Sequence, residues 1–125
     1  NEDYVAVYDS TMARFWYLNQ EGKETIQSFL QDSAHGRTLS DDELKDLGVY
    51  FEDRKFGEEI FMMNSGEQIC PSYMGEKFTP GLHGYHPSDA DSYAQICGNS
   101  EARNDLKSIK DIYKVMMDQM HWLMK

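Results

Sequence analysis

Tyr4-Val5-Ala6-Val7-Tyr8-Asp9-Ser10-Thr11-Met12-Ala13-Arg14-Phe15-Trp16-Tyr17-Leu18 is the stretch whose reading decides the fold. Residues 4–8 and 14–18 are rich in β-branched and aromatic side chains, which fit a pleated, half-buried surface. Asp9-Ser10-Thr11 between them have short polar side chains that bond their own backbone and favour a turn. A β-hairpin is the simplest consequence. Ser10 and Thr11 after Asp9 also have the look of an activated hydroxyl, but the turn accounts for the same residues with fewer assumptions.

Working outward, residues 23–31 place Ile26, Phe29 and Leu30 at helical spacing, and Gly36 can cap that helix. Ser40-Asp41-Asp42-Glu43 has the form of a capping box: the Ser40 hydroxyl takes a free first-turn amide and Glu43 reaches back. Leu44 and Leu47 give this helix an apolar side, and Gly48 ends it. Residues 59–63 (Glu-Ile-Phe-Met-Met) predict a buried strand. Ser65-Gly66 turns the chain, and residues 68–70 are expected to return as its partner. From Pro71 to Pro87 prolines and glycines punctuate a long shaped loop, and residues 93–97 predict one more strand. Ser108 then caps a last helix. There Ile109, Ile112, Tyr113, Met116, Met120, Leu123 and Met124 form an apolar stripe, for which core packing is the expected role. Four methionines in this helix leave a protein-binding surface as the alternative.

The 125 residues suffice for one domain or a part of one, burying roughly two thirds of the surface the unfolded chain exposes. No internal repeat or low-complexity tract divides them. A formal charge of −10 opposes binding to nucleic acid or an anionic membrane, because both carry phosphates. No apolar run is long enough for a membrane span. Cys70 and Cys97 are too few for a disulfide framework, lack metal-pair spacing and neighbour Ile69 and Ile96. Buried free thiols are therefore expected. The chain opens at Asn1 without methionine and without a signal sequence, and such an opening suggests a processed or excised chain.

Gly81-Leu82-His83-Gly84-Tyr85-His86-Pro87 is the one segment that asks for chemistry. Flanking glycines would let a rigid loop present His83 to a metal at close range. A turn histidine is the plainer reading of the pattern taken without its neighbours. His86 precedes proline and is held extended, which suits a supporting contact better than ligation. Asp89 and Asp91 could add oxygens, although Asp-Ala-Asp after Pro-Ser is commonly a solvated turn. His35 and His121 belong to no metal motif. A catalytic zinc usually takes three protein ligands, so one plausible ligand is not a site.

The same segment, followed by Asp91 and Tyr93-Ala94-Gln95-Ile96, resembles the closing motif of type I phosphodiesterases and nucleotide pyrophosphatases, members of the alkaline phosphatase superfamily. Residues 7–16, 54–63 and 71–75 are similar to the stretches that accompany it, so the likeness covers most of residues 4–100. The resemblance implies an α+β fold. A small insertion subdomain of mixed or antiparallel strands and helices would span about residues 4–70. A metal-loop segment and one strand of the parent fold would follow at about 71–98, and a C-terminal helix at 108–125.

It also implies a parent enzyme with two zinc-type divalent ions and a threonine or serine nucleophile, acting on phosphodiester or nucleotide substrates. Of the family's metal ligands only the late histidine has a counterpart here, at His83. His86 and Asp91 would support it. The remaining ligands and the nucleophile would belong to an N-terminal catalytic part of the same parent, and the chain by itself would be inactive. Trp16, Tyr17, Tyr73 and Tyr85 would help cover the substrate site, with core packing as their plainer role. The sequence leaves the compartment open, with the bacterial cytoplasm favoured. The competing class is a self-sufficient, non-enzymatic interaction module that uses the methionine-rich last helix.

Overall fold

A computed structural model describes residues 2–98 and 106–124. Elements run β1 (Tyr4–Tyr8), β2 (Met12–Tyr17), α1 (Gln20–Gln31), β3 (Gly36–Thr38), α2 (Asp41–Leu47), β4 (Glu59–Met63), a 3-10 turn (Ala90–Ser92) and α3 (Ile109–Leu123). The class is α+β, as the sequence predicts. Residues divide into two units, Asn1–Tyr93 and Ala94–Lys125. The first holds a four-stranded antiparallel sheet in the order β1-β2-β4-β3.

The predicted hairpin forms, with Val5 opposite Trp16 and Tyr8 opposite Ala13. Its second strand starts at Met12, two residues earlier than expected, because Met12–Phe15 also pair with β4. Leu18 falls outside it and is exposed. β4 has the predicted bounds. It lies between β2 and β3, so both of its edges are paired, and its apolar run Ile60-Phe61-Met62-Met63 suits a strand with an apolar cluster on each face. Side chains alternate across a strand. Phe61, Phe15 and Ala13 meet Ile26 and Leu30 of α1 on one face. Ile60 meets Leu39 and Leu44 on the other, with Tyr50 and Phe56 around them.

Asn19 caps α1 by accepting the Gly22 amide at 2.7 Å, which starts this helix earlier than its apolar spacing suggests. Gly36 does not cap α1. It opens β3, an unforeseen short strand, where a Cβ would lie 2.3 Å from the Met62 carbonyl oxygen. The α2 capping box is present in full, and Gly48 ends the helix in the left-handed conformation.

Four further expectations fail. Residues 68–70 form no strand; the Ile69 amide donates instead to the Ser10 carbonyl at 2.7 Å. Residues 93–97 also form no strand, and both cysteines are exposed, since neither lies in a packed element. The stripe of α3 is not core: Ile109, Tyr113, Met116, Met120 and Met124 are exposed by 54–82 %. An apolar stripe is a local property, and burial needs an opposing surface that the stripe does not specify. Ser108 caps α3 as predicted, with Asp111 completing a capping box. Lys125, the expected last residue of this helix, lies outside the described residues.

Arg37 pairs with Glu43 at 2.7 Å and, with the Ser40 amide, holds the Glu43 carboxyl down at about 2. Its ordinary value is 4.5. A depressed folded-state value contributes stability fully above the ordinary value, and that contribution disappears as pH falls toward about 2. The pair is partly solvated, so its effect is small. Glu43→Gln should flatten the loss of stability in acid titrations followed by circular dichroism. Ser40→Ala should cost about 1 kcal/mol in urea unfolding.

Candidate functional site

The loop that carries His83 is tied to the turn of the hairpin. Ser10 and Thr11 are 3 % and 4 % exposed, unusual values for hydroxyl residues in a turn. Ser10 sits at φ 63°, and its hydroxyl bonds that of Ser72 at 2.6 Å. The Thr11 hydroxyl donates to the Gly84 carbonyl at 3.1 Å. Gly84 has φ 102°, and a Cβ there would lie 2.9 Å from the Thr11 hydroxyl. Glycine is thus required twice over at this position. The Tyr85 hydroxyl donates to the Glu67 carbonyl at 2.8 Å, and the Tyr73 amide to the Tyr8 carbonyl at 3.0 Å. Asp9 and Arg14 pair beneath the turn at 2.7 Å, and Arg14 also lies over the Phe56 ring. The aspartate that stands before two hydroxyls is therefore engaged by an arginine.

His83 itself is exposed, and no described residue bonds its ring. His86 is half-buried and bonded to Ser88. Asp91 is exposed in the 3-10 turn, whereas Asp89 accepts from the Ser65 hydroxyl at 2.8 Å. Among the described residues no three His, Cys, Asp or Glu side chains converge as a metal site.

The four aromatic candidates do not share one surface. Trp16 and Tyr17, adjacent in β2, point to opposite faces of the sheet. The Trp16 indole donates to the Arg54 carbonyl at 2.9 Å. The Tyr17 hydroxyl donates to Glu59 at 2.5 Å; burial first, then that carboxylate, pushes its pKa well up. Tyr73 is bonded at Tyr8, and the hairpin register pairs Tyr17 with Tyr4 at the other end of β1. Four residues of strand, about 13 Å, separate the two ends. Tyr73 is 71 % exposed and Tyr85 half-buried, both on the loop side.

Sequence reasoning missed the buried hydroxyl junction. The residues Asp9-Ser10-Thr11 were legible as a turn, but nothing in them shows that a loop more than 60 residues later closes over it. Also unforeseen is an apolar groove of about 910 Å³ beside α1, lined by Tyr8, Phe15, Ile26, Phe29, Ile69 and Phe78. Within the described residues no helix is long and apolar enough to cross a membrane. No protein-family model, curated protein or solved structure matches this chain.

Thr11→Val keeps the shape and removes the bond to Gly84. It should lower stability by about 1 kcal/mol. Amide exchange should speed up across residues 83–89 while α1 keeps its protection. Unchanged exchange in that loop would show that the hydroxyl does not hold it.

Proposed function

We propose that this chain is the C-terminal part of a metal-dependent phosphodiesterase or nucleotide pyrophosphatase, in which His83 holds one of two zinc-type ions. The observation that supports the reading is the state of His83. Its ring is exposed and free of partners among the described residues, while the backbone beside it is tied down at Gly84 and Tyr85. An imidazole on a fixed backbone with its nitrogens uncommitted suits a metal whose other ligands come from elsewhere. The nucleophile and those ligands then belong to the N-terminal catalytic part of the same parent. The metals would activate a hydroxyl and stabilise charge on the transferring phosphoryl oxygens. The substrate class, a phosphodiester or nucleotide, rests on the resemblance of the 81–87 segment.

A second reading, the interaction module, is favoured by one observation: the exposed apolar stripe of α3. An upstream sequence without acidic and histidine ligand pairs and a hydroxyl nucleophile would favour this module and remove the enzyme.

In the longer protein, His83→Ala should lower hydrolysis of a nitrophenyl phosphodiester by about 100-fold or more, with little change in unfolding midpoint, since loss of a ligand acts through metal occupancy. Unchanged turnover at saturating zinc would remove His83 from the site. The isolated chain should hydrolyse nothing above background with zinc present. Two ions held tightly by these residues without the upstream part would overturn the proposal.

A further inference from the structure

The segment that carries His83 carries a second imidazole three residues on, and the two rings are held differently. The Ser88 backbone amide donates to His86 Nδ1 at 3.2 Å, and the Ser88 hydroxyl meets the same nitrogen at 2.6 Å. A backbone N–H can only donate, so Nδ1 must offer its lone pair. In the neutral ring the proton then sits on Nε2. The surrounding backbone fixes this arrangement. The Asp89 amide donates to the His86 carbonyl at 3.0 Å, and the Asp89 carboxylate is anchored by Ser65, just past the end of β4. His86 lines a polar cleft of about 380 Å³ with Arg37, Asn64, Ser65, Ser88 and Asp89. The charges of Arg37 and Asp89 offset one another there, and Arg37 is already paired with Glu43.

A metal takes an imidazole through a nitrogen that carries no proton. Ligation by Nε2 of His86 would move the proton to Nδ1, set two N–H groups against each other and forfeit the Ser88 bond. His83 has no such constraint. We infer that His86 is not a second metal ligand but a fixed hydrogen-bond donor, which offers Nε2–H to an anionic oxygen. That oxygen belongs to the substrate's phosphoryl group or to a metal-binding carboxylate of the parent. The identity of the acceptor rests on the phosphodiesterase reading, whereas the tautomer rests on the bonds within this chain.

Long-range proton–nitrogen NMR of the labelled chain, at mildly alkaline pH where free imidazole is neutral, reads the tautomer directly. His86 should show a bare Nδ1 and a protonated Nε2, and added zinc should shift the His83 resonances while sparing those of His86. A protonated Nδ1, or a zinc-induced shift at His86 as large as that at His83, overturns the inference. Zinc that disturbs neither ring of the isolated chain, which lacks the remaining ligands, agrees with the metal reading and, with the His86 tautomer as stated, supports the donor assignment.

In the longer protein, His86→Gln keeps an N–H near the place of Nε2 and should hold hydrolysis within about threefold, whereas His86→Ala should lower it about tenfold or more, the scale of a lost supporting bond. Equal losses in both variants, or none in either, refute the donor role. Bound zinc that stays constant in His86→Ala identifies the phosphoryl oxygen as the acceptor, and zinc that falls identifies the carboxylate.

Discussion

The burial of β4 on both faces is the constraint on which the rest of the first unit depends. Ile60 and Phe61 are neighbours in sequence and are 2 % and 4 % exposed on opposite sides of the sheet. Each nucleates a separate apolar cluster. One draws α1 onto the sheet, and the other draws α2 with the residues that follow it. Fully burying a side chain of this size contributes roughly 1.5–3 kcal/mol. A strand with one solvated face could organise only one of these layers. The central position also explains why β2 begins early, since Met12 and Ala13 pair there with Met62 and Phe61.

The second organising contact is polar. The hairpin turn lies beneath later chain, and its two hydroxyls are satisfied by Ser72 and Gly84. Burying a hydroxyl without a partner is costly, and pairing removes that cost. The turn therefore acts as a peg for a loop that has no strand or helix to hold it before Ala90. This peg places the backbone beside His83 and leaves its ring exposed. Function, on the proposed reading, depends on that combination of a held backbone and a free side chain.

The structure sorts the candidate residues by their bonding. Trp16, Tyr17 and Tyr85 each spend their polar atom on a partner within the first unit, which gives them structural work. Tyr73 is held by its backbone amide and leaves its ring outside. Among the described residues His86 spends one ring nitrogen, and His83 neither. A pattern of residue types could suggest histidine chemistry in this segment. Dividing that chemistry between two rings required knowing which nitrogen meets the Ser88 amide.

What the sequence determined by itself was local: the hairpin, the capping box at Ser40, the cap at Ser108, the stop at Gly48, and the apolar run of β4. Each depends on bonds between residues a few positions apart, or on a composition that suits a single environment. The tertiary structure decided the rest. It made Gly36 a strand residue because the Met62 backbone lies too close for any side chain. It left residues 68–70 and 93–97 without strand partners, and it exposed the α3 stripe and both cysteines. Whether an apolar or polar group is buried depends on what arrives from far along the chain, and spacing within a segment carries no record of that.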